Sequence, residues 1–357
     1  MKIVVACGGT GGHAFPGLAV AEELLKRGHE VIVWNSGRAV ESGVMKRWHG
    51  PTFATGAKQL RPKNALAIVR SIIRCRREMK RTKPDVLLAM GSYSSLPPVF
   101  AARSCGVPIV LHEANTIPGK AVEFLSRSAK AVATSFAMTA KCLPKAKTVL
   151  TGLPIRNEIA SGKRFAFIPA TAFVVFVTGG SQGAHAVNEL LSAALVMMKQ
   201  ELDRRGNGGR GLYIIHQTGE KDEGRVMAAY AAAQQPARVH AFEQQMADAF
   251  ASADLVVARA GASTCFELAA CGKPALLIPL PSAMRDHQHF NADAFAAVGA
   301  ADEGIQSKLS ARQICRYLLQ KYDHPEQLAA MREKMMRLAT PDAAARVADL
   351  VEASAKS

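Results

Sequence analysis

An α/β architecture of two doubly wound parallel-sheet domains is what this sequence predicts, and three observations predict it. Short apolar runs alternate with longer stretches of helical periodicity. The length, 357 residues, suits two domains of roughly 150–180 residues each. A strand–glycine loop–helix unit at the start recurs near the middle, which implies two similar domains facing a shared cleft.

The elements follow in order. Ile3–Ala6 reads as a buried strand, followed by a helix from about Pro16 to Arg27 and a strand at Val31–Trp34. Further strands are predicted at Val86–Ala89, Ile109–His112, Ala131–Ala133 and Thr148–Leu150. After Arg156 the chain turns loop-like through Ser161-Gly162-Lys163-Arg164 and Pro169, so one domain is expected over 1–160 and the next over 161–340. The second begins with strands at Phe173–Val177, Leu212–His216, Leu255–Ala258 and Ala275–Pro279, with Arg204–Gly211 as a surface loop. From about Pro325 the chain is rich in Ala, Met and Arg and reads as helical.

Two glycine loops carry the first chemical signal: Gly8-Gly9-Thr10-Gly11-Gly12 and Gly179-Gly180-Ser181-Gln182-Gly183-Ala184. Such a loop lets main-chain N–H groups approach a diphosphate, and the helix N-terminus adds favourable partial charge. The alternative is a tight turn that binds nothing, which two loops in matching positions disfavour. Gly9-x-Gly11-x-x-Ala14 also matches the dinucleotide fingerprint, which makes an NAD enzyme the rival reading. That fingerprint wants an acid at the end of the second strand, and Val31-Ile32-Val33-Trp34-Asn35 supplies none. No Gly-x-x-x-x-Gly-Lys-[Ser/Thr] phosphate loop occurs.

A third anion site is expected at Arg259-Ala260-Gly261-Ala262-Ser263-Thr264-Cys265-Phe266-Glu267. There a strand runs into a glycine turn and then a helix capped by Ser263 or Thr264. Glu267 is placed to accept from ribose hydroxyls, or else to complement the helix dipole.

Composition narrows the partners. Lys and Arg outnumber Asp and Glu 45 to 29, a formal charge of +16, which favours an anionic partner. Aromatic residues are only 6%, too few for stacking single-stranded bases, and no zinc-finger, RNA-recognition or basic-zipper motif supports nucleic acid. The seven cysteines are scattered without zinc-like spacing and read as reduced thiols. No stretch approaches the ~18 apolar residues of a membrane span, so any membrane contact is expected to be peripheral.

At this point the residues resemble one family. Gly8 through Gly17, His112-Glu113-Ala114-Asn115, Gly179 through Ala184 and Arg259 through Glu267 are similar to the MurG glycosyltransferases, which add N-acetylglucosamine (GlcNAc) to lipid I to make lipid II of peptidoglycan. The resemblance implies a GT-B fold of two Rossmann-like domains. It places the acceptor and membrane surface in the first, UDP-GlcNAc mainly in the second, and a C-terminal helix at about 341–357 back on the first.

Donor contacts carried over from the family fall on Thr10, Gly11, Gly12, Asn115, Arg156 and Ser181. They also fall on Ala262, Ser263, Thr264, Cys265, Phe266 and Glu267, with Glu267 on the ribose, and on Gln288 at the sugar. The family reads uracil through main chain after a Phe, which assigns Glu243 beside Phe242. Its usual Phe-(apolar)-Asp-Asp-Met is Phe242-Glu243-Gln244-Gln245-Met246 here, a change that a main-chain contact survives. Its Gly-Asn-Pro-[Val/Ile]-Arg is Gly152-Leu153-Pro154-Ile155-Arg156, with the Asn lost and Arg156 kept. Its Gly-Gly-Tyr-Val-Ser acceptor loop is Gly91-Ser92-Tyr93-Ser94-Ser95.

The chemistry so implied is an inverting displacement by the acceptor 4-hydroxyl, which needs a base and a stabilised leaving diphosphate. No Asp-x-Asp occurs, so transfer without metal or other cofactor is expected. His13 is the candidate catalytic base, its ordinary pKa of about 6.5 being suited to the task, and Glu113 is the other candidate.

Between Lys58 and Lys83 there are ten Lys and Arg against one acid, Glu78. Leu66, Val69 and Ile73 are expected to face the core, with Ile68 and Ile72 turned to an anionic membrane. The implied location is peripheral, on the cytoplasmic face of the inner membrane.

Overall fold

Among the described residues, thirteen strands pair in parallel into two sheets. The computed structural model describes every residue except Thr10, Ala39, Val40, Glu41, Ser42, Val44, Leu60, Ser181, Gln182, Asn207, Gly208, Gly209, Lys356 and Ser357, and of Asn157 only the backbone. The chain forms two compact units, Met1–Arg156 with Thr340–Ser357, and Asn157–Ala339.

In the first unit the strands are β1 (Lys2–Ala6), β2 (Glu30–Asn35), β3 (Thr52–Ala54), β4 (Val86–Ala89), β5 (Ile109–Glu113), β6 (Ala131–Thr134) and β7 (Thr148–Leu150). Their order is β3-β2-β1-β4-β5-β6-β7. The helices are α1 (Gly11–Lys26), α2 (Ala65–Thr82), α3 (Leu96–Ser104), α4 (Lys120–Leu125) and α5 (Thr139–Cys142). Alternation along β1 sends Ile3 and Val5 to one core and Val4 and Ala6 to the other, so the sheet is covered on both faces. Gly17 lets α1 lie on β1, because a Cβ there would fall 2.2 Å from that of Cys7.

The second unit holds β8 (Phe173–Thr178), β9 (Leu212–Gln217), β10 (Ala237–His240), β11 (Leu255–Ala258), β12 (Ala275–Leu277) and β13 (Ala301–Glu303). They lie in the order β10-β9-β8-β11-β12-β13. Its helices are α6 (His185–Arg205), α7 (Glu223–Ala232), α8 (Met246–Ser252), α9 (Ala262–Cys271), α10 (His287–Ala296), α11 (Ala311–Asp323) and α12 (Pro325–Arg337). A last helix, α13 (Ala343–Ser354), belongs to the first unit, where Val347, Ala348 and Val351 join Ile3, Val5 and Leu18 in one core. Arg27 fixes it there through Asp349 (2.6 Å) and Glu352 (3.0 Å).

Strand order reverses between β1 and β4, and again between β8 and β11. Ligands of open parallel sheets bind beyond the carboxyl ends of the strands at such a switch point. In the first unit those ends carry the Gly8–Gly12 and Gly91–Ser95 segments. In the second they carry Gly179–Gly183 and Arg259–Gly261.

Three sequence expectations are corrected. Helix α1 starts at Gly11, not Pro16, so Pro16 sits inside it and the ladder forgoes one bond, that to the Gly12 carbonyl. On α2 the buried face is Ser71, Cys75, Met79 and Thr82, with Ile68 and Ile72 half-buried beside it, while Leu66 (72%), Val69 (53%) and Ile73 (47%) are exposed. A small hydroxyl and a thiol pack closest to the neighbouring elements, which rotates the helix away from the phase read from its aliphatic residues. The helix after β11 is capped by Gly261, with no side-chain cap; Ser263 and Thr264 already lie inside its first turn.

Candidate active site

The first glycine loop is pressed between two neighbours. A Cβ on Gly8 would stand 2.6 Å from the Ser36 nitrogen, and one on Gly9 (φ +123°) would stand 2.9 Å from Ser92 Oγ. Gly11 and Gly12 form the first turn of α1, and Thr10 lies outside the described residues. At the position of the missing ribose acid, Asn35 Oδ1 accepts from its own loop at Gly37 N–H (2.9 Å).

Within the first turn of α1, His13 donates from Nδ1 to the Met90 carbonyl (2.9 Å), and its Cε1 lies 3.8 Å from the Cβ position of Gly91. Since a carbonyl can only accept, this bond puts the proton on Nδ1 and the lone pair on Nε2. His13 thus stands at the junction of the glycine loop and the Gly91–Ser95 segment.

That segment is strained and pinned. Ser92 has φ 67°, ψ 166°, a conformation that belongs almost wholly to glycine. Ser94 donates to the Gly8 carbonyl, Ser95 to the Gly91 carbonyl, and the Tyr93 hydroxyl accepts from Arg38 (2.8 Å).

Glu113, buried at the end of β5, spends both oxygens on its own loop. Oε1 accepts from the Asn115 N–H (2.9 Å) and Nδ2 (3.1 Å), and Oε2 from the Gly119 N–H (2.9 Å). Its neighbour His112 is buried, and burial pushes its pKa down to about 4, so the ring is neutral near pH 7. Arg156 lies with its guanidinium 4.6 Å above the Phe15 ring of α1.

In the second unit the second loop closes as tightly. A Cβ on Gly179 would meet the Ala184 nitrogen at 2.5 Å, and one on Gly183 the Thr218 carbonyl at 2.1 Å. Ser181 lies outside the described residues. Asn188 holds Thr218 in place through its carbonyl (2.7 Å) and also donates to Asp222 (2.8 Å). Burial opposes ionisation of Asp222, but hydrogen bonds from Asn188, His185 and Arg225 outweigh it and bring the pKa down to about 2. His216 beneath them bonds Asn188 and Tyr230, and burial drives its pKa to about 3.

At the start of α9 the amides of Ala262, Ser263 and Thr264 precede the first helical bond, Cys265 N–H to the Gly261 carbonyl (3.0 Å). The Ser263 hydroxyl is buried without a hydrogen-bond partner. Cys265 faces the core, its thiol pushed up to about 12 by burial, and Phe266 packs edge-on to Phe295. Of the six residues expected to contact the donor on this helix, Ala262, Ser263 and Thr264 thus lie ahead of the first helical bond, whereas the Cys265 amide is spent within the helix. Glu267 is buried (8% exposed) one turn on. Arg259 is likewise buried, clamping the Ile278 and Pro279 carbonyls and Gln306.

Gln288 accepts from the Leu280 N–H (3.0 Å) and lies two residues after Asp286, which with Arg285 makes two consecutive residues at φ 55° and 56°. That strained pair carries no sequence signal, since neither is glycine or asparagine. Glu243 is buried and ion-paired to Arg238 at 2.8 Å, with its own N–H given to Gln217 (3.1 Å). Among the described residues no group of three or more His, Cys, Asp or Glu is arranged to hold a metal ion, and no helix is long and apolar enough to cross a membrane.

Residues 3–134 match the glycosyltransferase family 28 N-terminal domain and residues 174–347 its C-terminal domain. The chain is 37% identical over 368 residues to the UDP-N-acetylglucosamine–N-acetylmuramyl-(pentapeptide) pyrophosphoryl-undecaprenol N-acetylglucosamine transferase of Geobacter sulfurreducens, covering 100% of this chain and 99% of that one. It belongs to the MurG family. The crystal structure of Acinetobacter baumannii MurG agrees, with a TM-score of 0.78 at 32% identity over 99% of both chains. A UDP-GlcNAc 2-epimerase from Neisseria meningitidis, 13% identical, superposes at a TM-score of 0.73 and so shares the GT-B fold. Membership of the MurG family makes the chain a glycosyltransferase and leaves the NAD reading without support.

Proposed function

We propose that the chain transfers GlcNAc from UDP-GlcNAc to the 4-hydroxyl of the MurNAc residue of lipid I, with inversion, to form lipid II. The observation that carries this reading is the full-length identity to the Geobacter sulfurreducens enzyme. The geometry supports the following roles. His13 Nε2 takes the acceptor hydroxyl proton while the Met90 carbonyl holds the Nδ1–H and stabilises the imidazolium that forms. Glu113 acts as a positioning residue, because its oxygens already serve Asn115 and Gly119.

The first glycine loop and Gly91–Ser95 hold the acceptor diphosphate. The α9 amides of Ala262, Ser263 and Thr264, with Ser181 and Arg156, take up charge on the departing UDP. Glu267 accepts from the ribose, and Asn115 and Gln288 hold the sugar. No step in this scheme draws on a metal or cofactor.

The protein acts at the cytoplasmic face of the inner membrane as a peripheral enzyme. Leu66, Val69 and Ile73 form an outward apolar stripe ringed by Arg70, Arg74, Arg77 and Arg81, which supports docking on anionic lipid. Nucleic acid is not among its partners.

The test is transfer of labelled sugar from UDP-GlcNAc to a lipid I analogue in EDTA, with UDP-GalNAc as the control donor. Product from UDP-GlcNAc alone is the expected result. Product only after magnesium is restored sinks the metal-free scheme, and none under either condition sinks the activity.

A further inference from the structure

The Gly91–Ser95 segment carries its strain between two fixed ends. At one end the Met90 N–H donates to the Ala6 carbonyl (2.9 Å), and at the other α3 begins at Leu96. Gly91 turns freely at φ 82°, but Ser92 follows at φ 67°, ψ 166°, where a Cβ is crowded. Ser95 closes the turn on itself, its N–H on the Ser92 carbonyl (3.2 Å) and its hydroxyl on the Gly91 carbonyl.

Ser94 instead reaches out of the turn. It is buried, at 4% exposure, and its hydroxyl donates to the Gly8 carbonyl of the first glycine loop. The position a Cβ would take on Gly9 lies 2.9 Å from Ser92 Oγ and 3.7 Å from Ser94 Oγ. Both serines therefore close on one glycine pair, Ser92 by contact and Ser94 by a hydrogen bond. For Ser92 to relax to negative φ, the Gly91–Ser92 peptide must turn and carry Tyr93–Ser95 with it. The Ser94 bond opposes that movement, because breaking it takes this donor from a buried carbonyl.

We propose that Ser94 is a positioning residue for the acceptor. By tying the segment to the Gly8 carbonyl, it holds Ser92 in its strained conformation and keeps the two diphosphate-binding segments in one register. The base stands outside this coupling, since the Met90 carbonyl that orients His13 belongs to the end held by Ala6. This proposal rests on the reading of the first unit as the acceptor site.

The experiment is steady-state transfer from UDP-GlcNAc to a lipid I analogue by the full chain, with kcat and both KM values measured for Ser94→Val and Ser94→Thr. The two replacements are nearly isosteric and differ in the hydroxyl. Ser94→Val is expected to raise the acceptor KM about tenfold, the scale of one lost hydrogen bond, with kcat and the UDP-GlcNAc KM moving less than about twofold. Ser94→Thr keeps the hydroxyl and is expected to bring the acceptor KM back. Adding Ser92→Gly to Ser94→Val is expected to do the same, since glycine holds the φ 67° turn without the tie. A merely structural loss would lower the active fraction, and so kcat, and move neither KM.

Should Ser94→Val fail to fold, by circular dichroism and thermal melting, Ser94→Ala takes its place with the same expected rise, since it needs no extra room. Wild type that transfers, with the valine and threonine variants alike in acceptor KM, overturns the proposal and leaves the acceptor reading standing. A Ser94→Val defect that Ser92→Gly does not relieve overturns the coupling and the proposal with it. Wild type that transfers nothing overturns the activity itself.

Discussion

The imidazole of His13 is tethered by its Nδ1 to the Met90 carbonyl at 2.9 Å, so its tautomer is set by main chain that no substitution can remove. That tether separates the orientation of the ring from its basicity, which a variant can exploit. His13→Asn keeps a side-chain N–H in reach of Met90 and loses the base. It is expected to leave the KM for UDP-GlcNAc and the melting temperature near wild type while kcat falls about 10²–10⁴-fold. A comparable loss in KM, or a small loss in kcat, would remove His13 from the role.

Ser92 holds a conformation that belongs to glycine, at φ 67° and ψ 166°. Ser92→Gly should therefore stabilise the first unit. Relief of roughly 1–3 kcal/mol of backbone strain outweighs the smaller entropic cost of glycine in the unfolded chain. A melting temperature higher by about 2–4 °C is expected. A drop would mean that the Ser92 side chain contributes more than its backbone costs.

Two buried histidines make stability depend on pH. Burial lowers His112 to about 4 and His216 to about 3, both from an ordinary 6.5. Between those values and 6.5 the unfolded chain binds protons that the folded chain refuses. Stability is thus full above about pH 6.5 and falls as acid is added. Each histidine contributes a slope of up to about 1.4 kcal/mol per pH unit. Urea unfolding at pH 7, 6 and 5 measures it, and His216→Gln should flatten the slope of the second unit alone.

The exposed stripe on α2 gives a separate readout. Val69→Asp with Ile73→Asp is expected to cut binding to vesicles containing anionic phospholipid by at least about tenfold, since it removes apolar contact and adds two like charges to the surface. Activity on a detergent-soluble acceptor should be unchanged. Equal vesicle binding by the variant would assign the stripe to something other than lipid.

What the sequence made legible follows burial. Runs such as Val86–Ala89 and Leu255–Ala258 are apolar throughout because both faces of a central strand are covered, and they match β4 and β11 residue for residue. The three strands missed, Thr52–Ala54, Ala237–His240 and Ala301–Glu303, are edge strands of three or four residues with mixed polarity. An edge strand buries less of itself, so its pattern fades. The phase of α2 is not legible for a related reason, since Ser71 and Cys75 fill its inward face and leave Leu66 and Ile73 outside.

At the site, the glycine loops and His13 stand out in sequence because only glycine tolerates a Cβ position 2.1 Å from a carbonyl oxygen, as at Gly183. The tie from Ser94 to the Gly8 carbonyl is invisible there, because serine in a loop looks like any polar residue. So is the Arg285–Asp286 turn, whose strain is set by tertiary packing.

The chain leaves the first unit at Arg156 and returns to it only at Thr340. During synthesis, Ile3, Val5 and Leu18 therefore wait for Val347, Ala348 and Val351, which are made after the whole of the other unit. The second unit, drawn from one continuous stretch, can close its core while the first still lacks a wall. The part translated first is thus finished last, and helix α1, which bears His13, acquires its full support only when the nascent chain is nearly complete. A partly made copy is in this way denied a finished first unit.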